Sequence, residues 1–188
     1  TLQPRQSTGL SFYGLLGLLK NIFPKLKVVN LNRSFDAGKN RALGKKLASR
    51  LAKKIIMVYT GSENHYLSYN WKDRLNETGK TLCFFNTVPE MCHNEIASFE
   101  SRPDNVINIF LQDPKDHPEN KRRFNFVAQL LKQRGIDSIN INLDGRNVFE
   151  KVFYSINLAD WIAFYLALNN NFDPADIKII DQLKKLMA

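Results

Sequence analysis

Glu77 and His93 are the two residues whose types and setting best suit chemistry. A carboxylate can take up a proton and return it, and an imidazole donates and accepts near neutral pH. They lie sixteen positions apart, near opposite ends of a short apolar strand, Leu82 to Phe85. Before that strand, Trp71-Lys72-Asp73-Arg74-Leu75-Asn76-Glu77 closes a helix. After it, Pro89-Glu90-Met91-Cys92-His93-Asn94-Glu95 stands where a strand hands over to a helix. Ligands of open α/β sheets bind where strands end and loops turn, so the pair is the first candidate for proton-transfer chemistry. Each also has a plainer reading from spacing alone: a helix-end surface carboxylate, and a loop histidine in a hydrogen bond.

Around this pair the chain alternates strand and helix. Ile55 to Gly61 is a continuous apolar run ended by glycine, the form of a strand buried on both faces in a parallel sheet. A helix opens at Ser62 or Glu63 and runs to about Glu77, with Gly79 behind it. Val106–Leu111 and Ile136–Leu143 read as further strands, with a helix over Asp116–Arg134 closed by Gly135. Val148–Leu168 is a long apolar helix, and Asp173-Pro174 is expected to start the last one. Trp71 is expected in the core. This order predicts an α/β fold: a three-layer α/β/α sandwich around a mainly parallel sheet, with additional N- and C-terminal helices.

Composition narrows the function classes. The chain has 188 residues and a hydrophobic fraction of 44%, enough for one domain with a substantial core. No apolar run approaches the roughly 18–20 residues of a membrane span, so no membrane partner is expected. The opening TLQPRQSTGL has neither an initiating Met nor a signal-peptide form, and reads as a chain entered partway. Cys83 and Cys92 make no disulfide framework, and their spacing with His93 is not that of a zinc site. The expected compartment is the cytoplasm.

The net charge of +9 points either to solubility or to an anionic partner. Its densest run holds Lys39, Arg41, Lys45, Lys46, Arg50, Lys53 and Lys54, with Leu43, Leu47 and Leu51 forming one buried stripe. That is a helix with a solvated cationic face. The run lacks interleaved aromatics and no nucleic-acid signature appears, so no nucleic-acid partner is expected. Neither GxGxxG nor GxxxxGK[ST] is present, so nucleotide binding has no motif behind it. Ser11–Phe23 forms an amphipathic helix; with Val148–Leu168 it is expected to build an interface with a second copy or another domain.

Several blocks together resemble one known pattern. They are Asn40-Arg41-Ala42…Lys46-Leu47-Ala48, Tyr59-Thr60-Gly61, Trp71-Lys72…Leu75-Asn76-Glu77…Lys80, Pro89-Glu90…His93-Asn94-Glu95 and Asp181-Gln182-Leu183-Lys184. The pattern is similar to the C-terminal half of the bifunctional phosphoglucose/phosphomannose isomerases, of the sugar-isomerase (SIS) domain superfamily. WK-x-x-LNE-x-x-K followed by PE-x-x-HNE is its most specific part.

The resemblance implies aldose–ketose isomerisation of hexose 6-phosphates through an enediolate. It places the base on Glu77 and the ring-opening histidine on His93, which in the family reaches a neighbouring subunit's active site. A homodimer is therefore expected. A family lysine falls on Lys184, and a family arginine falls on Arg5, within Gln3-Pro4-Arg5. An arginine's planar fork of donors suits a developing enediolate. No metal or organic cofactor is required by this chemistry. Glu90 and Glu95 are expected to cap the following helix or orient the imidazole.

Family members carry two SIS domains, and the first holds the phosphate in Ser/Thr loops that have no counterpart here. The expected division is therefore residues 1–35 as linker and N-terminal helix leading in from a first domain, and 36–188 as a second, SIS-like domain. The alternative is a non-catalytic SIS module that binds sugar phosphate or serves dimerisation.

Overall fold

The computed structural model describes residues 7–27 and 36–187. Four parallel strands, β1 (Ile55–Gly61), β2 (Cys83–Val88), β3 (Val106–Gln112) and β4 (Asp137–Asn142), lie in the order β2-β1-β3-β4. The chain steps from β1 to one side for β2, then crosses back for β3, so the order of strand addition reverses between β1 and β3 while all four strands stay parallel. Helices α1 (Thr8–Ile22), α2 (Ala37–Leu51), α3 (His65–Glu77), α4 (Glu95–Ser98), α5 (Pro118–Arg134), α6 (Val148–Asn169) and α7 (Lys178–Leu186) surround it.

Strand alternation builds two cores. Ile56 and Val58 of β1 and Ile107, Ile109 and Leu111 of β3 face α2, α3 and α6, meeting Leu51, Trp71, Leu75, Ile162 and Leu166. Tyr59 and Phe110 point the other way, onto Met91, Phe99 and the Phe124–Leu131 stripe of α5. The three-layer α/β/α expectation holds. Trp71 is fully buried, and its indole N–H donates to Ser155 Oγ at 2.9 Å, which fixes α3 to α6. Gly44 lets α2 lie directly on α6: a Cβ there would sit 2.6 Å from Trp161 Cβ.

Capping explains where helices start. His117 Nδ1 accepts the Glu119 N–H and Pro118 stands in the first turn, so α5 opens at Pro118 rather than at Asp116. Asp116 serves the approach instead, accepting from the His117 N–H and from Asn120 Nδ2. The last helix also starts later than Asp173-Pro174. Asp173 and Asp176 each accept a backbone N–H two residues on, at Ala175 and Lys178, so a turn comes first and α7 opens at Lys178. β2 is longer than Leu82–Phe85 because Asn86 and Thr87 pair with Tyr59 and Thr60 of β1.

Much of the cationic run on α2 is occupied within the fold. Arg41 lies 5.3 Å from the Trp161 ring centre and donates to the Tyr165 hydroxyl; Arg50 pairs with Asp137 at 2.7 Å; Lys54 donates to the Asp104 carbonyl. Among the described residues no helix is long and apolar enough to cross a membrane.

At the C-terminal end of β3, Asp113 accepts from Lys151 Nζ at 2.5 Å, Asn64 Nδ2 at 3.1 Å and the Lys115 N–H at 2.9 Å. Burial alone would push this carboxyl up. The donors outweigh it and hold the group below the ordinary carboxylate range. A depressed folded pKa contributes stability that is fully present above the unfolded value of about 4 and is lost as pH falls through the folded one. Lys151→Met is expected to cost about 2–4 kcal/mol at pH 7, where an ionised Asp113 is left unpaired. The gap to the parent should narrow in urea melts at pH 3. A gap independent of pH would show that Asp113 is not the ionised partner.

Candidate functional site

Glu77 ends α3, at the edge of the sheet where β2 begins. Its neighbour Asn76 sets that geometry. Asn76 Oδ1 accepts the Cys83 N–H at 2.8 Å, and Asn76 Nδ2 donates to the Cys83 carbonyl at 3.3 Å. The last turn of α3 is thereby latched to the first residue of β2, and Leu75 goes to the core while Glu77 turns outward. Lys80, in the left-handed region with φ 51°, folds back so that its Nζ donates to the Glu77 carbonyl at 2.6 Å and to the Asp176 carbonyl.

That lysine ties α3 to the segment leading into α7. Between them opens a cleft of about 490 Å³, walled by Glu77, Lys80, Phe172, Asp176, Ile177 and Ile180 among others. A carboxylate at the rim of a largely apolar cleft has the chemistry to accept a proton from a molecule bound there.

Lys184 lies on α7 one helical turn beyond Ile180 and is not itself among the residues that line this cleft. Its side chain is 71% exposed and its Nζ stands 3.9 Å from Asp181 Oδ1. Arg5 lies outside the described residues.

His93 is placed elsewhere. It follows a 3-10 turn, Glu90–Cys92, beyond the C-terminal end of β2, and is exposed. The six residues of β2 separate it from the Glu77 end, a span of about 20 Å at roughly 3.3 Å per residue. Within one chain the structure therefore gathers Glu77, Lys80 and the helix carrying Lys184, and leaves His93 at the far end of the same strand. Glu95 does not cap α4 with its side chain: Asn94 Oδ1 accepts the Glu95 N–H, and the Glu95 carboxylate turns toward the sheet.

The reversal point at the C-terminal ends of β1 and β3, where such sheets often hold phosphate, presents carboxylates instead. Asp113 is committed to Lys151, and Asp116 Oδ2 sits in the space that a side chain at Gly61 would need. Cys83 is buried, and burial pushes its thiol up to about 12, which leaves it unreactive at neutral pH.

Most of the residues lining the cleft were not singled out as functional from the sequence, Lys80 and Phe172 among them. Lys80 had a signal, closing the WK-x-x-LNE-x-x-K block. Phe172 had none, since it reaches Glu77 only through the turn before α7.

Comparisons with known proteins bear on the same residues. The family model for the bacterial phospho-glucose isomerase C-terminal SIS domain matches residues 40–187. A bifunctional phosphoglucose/phosphomannose isomerase of Aquifex aeolicus is 28% identical over 186 residues, covering 97% of this chain and 58% of that protein. One from Thermoplasma volcanium is 26% identical over 193 residues, covering all of this chain and 61% of its own length. The chain thus spans about 60% of these relatives.

Among solved structures, a glucose-6-phosphate isomerase like protein from Thermus thermophilus superposes with a TM-score of 0.58 at 19% identity, over 73% of this chain and 46% of that one. A putative phosphosugar isomerase from Salmonella typhimurium gives 0.55 at 14%, over 76% and 44%. At such identities these likenesses concern the fold.

Proposed function

Since the chain belongs to the bacterial phospho-glucose isomerase C-terminal SIS domain family, we propose that it supplies the proton-transfer half of an aldose–ketose isomerase acting on hexose 6-phosphates. The observation that carries this is Glu77 at the rim of the cleft between α3 and α7, inside the block that the family pattern assigns to the base.

In this reading the His93 imidazole protonates the ring oxygen as the C1–O5 bond of the pyranose opens, the O1 hydroxyl releases its proton to solvent, and the free aldehyde forms at C1. Glu77 then takes the proton from C2. The C2–H electrons form the C1=C2 bond and the carbonyl electrons move onto O1, giving an enediolate. O1 is protonated, the O2 hydroxyl loses its proton, and the carbonyl forms at C2 as the proton on Glu77 passes to C1. Lys184 and Arg5 are the donors proposed for the negative oxygens. Glucose and mannose 6-phosphates differ only at C2, which becomes planar in the enediolate. Both can therefore pass through one intermediate to fructose 6-phosphate.

In this reading His93 comes from a second copy, which is supported by the placement of Glu77 and His93 beyond opposite ends of β2, a strand about 20 Å long. The partly uncovered α1, which meets the rest of the fold through Phe12 on Phe149 and Phe153 and leaves Leu10, Leu15, Leu18 and Ile22 exposed, provides apolar surface for such an assembly. The carboxylates at the sheet's reversal point make it a poor phosphate site, so the phosphate is held by a first domain outside these residues.

The test is turnover by the natural full-length polypeptide. Glucose 6-phosphate should convert to fructose 6-phosphate at a kcat of order 1–10³ s⁻¹ in a dehydrogenase-coupled assay. The exposed apolar face of α1 also favours a second reading, a module that serves assembly or binds sugar phosphate without chemistry. Saturable binding of fructose 6-phosphate with no interconversion would select it.

A further inference from the structure

Tyr59 of β1 and Asn86 of β2 are partners across the sheet ladder, and their side chains converge on one carboxylate. The Tyr59 hydroxyl donates to Glu95 Oε2 at 2.8 Å, and Asn86 Nδ2 donates to Glu95 Oε1 at 2.5 Å. Tyr59 is fully buried; burial, with Glu95 beside it, pushes its hydroxyl far above the ordinary range, so it stays a donor at any working pH.

From Glu95 the bonding continues into the turn that carries His93. Asn94 Oδ1 accepts the Glu95 N–H at 2.6 Å, Asn94 Nδ2 donates to Glu90 Oε1 at 3.1 Å, and the His93 N–H donates to the Glu90 carbonyl at 2.9 Å. Ser98 Oγ donates to the Glu95 carbonyl at 2.7 Å. The turn is exposed at His93 itself, and Met91 is its buried apolar anchor. Met91, with Cys92 and Ile96 packed beside it, holds the segment by apolar contacts that have no preferred direction and leave it some freedom to rotate. Two charge-assisted bonds from adjacent strands remove that freedom.

We propose that Glu95 is a positioning residue for His93, clamping the Glu90–Ser98 segment to the β1–β2 ladder so that the imidazole projects at a fixed angle toward a second copy. Both carboxylate oxygens are engaged by the sheet, so Glu95 acts through the turn and does not touch substrate. The proposal rests on His93 opening the sugar ring, and its test separates the two.

In the full-length polypeptide, Glu95→Ala and Tyr59→Phe are expected to lower kcat at least about 10-fold, the effect of misplacing a catalytic group, with KM held within about twofold. In a His93→Ala background, Glu95→Ala should add less than about twofold, because the group it positions is gone. A full additional loss in that background would overturn the clamp and assign Glu95 to stability alone. If His93→Ala leaves kcat unchanged, the ring-opening role falls, and amide exchange judges the clamp by itself. Tyr59→Phe should then speed exchange across residues 90–94 about 10-fold, the loss of one such bond, with β1 and β3 amides unaltered. Unchanged exchange in the turn would sink it.

Discussion

Glu77→Gln is expected to cut kcat for fructose 6-phosphate to glucose 6-phosphate conversion by about 10³-fold or more, within the span that a positioned general base supplies. Gln matches Glu in shape but cannot accept a proton, so the loss should fall on kcat with KM little changed. The side chain is exposed at the rim of the cleft, while the anchors of the helix end are Leu75, Asn76 and Lys80, none of them altered. Thermal stability should stay within about 0.5 kcal/mol of the parent, as for other surface changes. Incorporation of solvent deuterium at C1 and C2 should stop with turnover, since both record the proton held on residue 77. Parent-like turnover in this variant would remove Glu77 from the chemistry whatever its neighbours do.

Mixing two inactive variants is expected to restore activity. In the proposed dimer, Glu77→Gln and His93→Ala homodimers would each lack one essential group in both sites. A heterodimer joins the intact Glu77 of one subunit to the intact His93 of the other, giving one working site and one doubly defective site. Half of the dimers in an equal, fully exchanged mixture are mixed, so activity should return to about a quarter of the parent's. The recovery should appear at the rate of subunit exchange, measured by mixing and assaying over time. No recovery after demonstrated exchange would place both groups in one chain and contradict the distance along β2.

The sheet was legible because its strands are apolar in ways few other elements are. The Ile55–Gly61 run could only be a strand covered on both faces, and it is. The second strand was cut short because Asn86 and Thr87 look like a turn, and only pairing with Tyr59 and Thr60 shows them as ladder residues. The beginning of the last helix was misplaced because two aspartates at three-residue spacing can each start a helix, and which one does is decided by the turn between them.

The site shows the same division. Glu77 and His93 stood out by residue type, and their separation by a whole strand could be read from the sequence. The cleft could not, since Phe172 and Asp176 lie almost a hundred positions from Glu77 and meet it through Lys80. Nor could the Tyr59–Asn86–Glu95 convergence, which depends on strand register. The high positive charge proved to be partly internal bookkeeping: Arg41, Arg50 and Lys54 answer aromatic rings, a carboxylate and a carbonyl of their own chain.

The length of β2 has one more effect. On the proposed reading, two working groups held apart by the length of that strand would need a second copy, and specific activity would then follow mass action. Dilution would silence the pair before it unfolds, and flux would rise with abundance more steeply than in simple proportion. Near the dissociation constant of the pair, doubling the amount of polypeptide would more than double turnover.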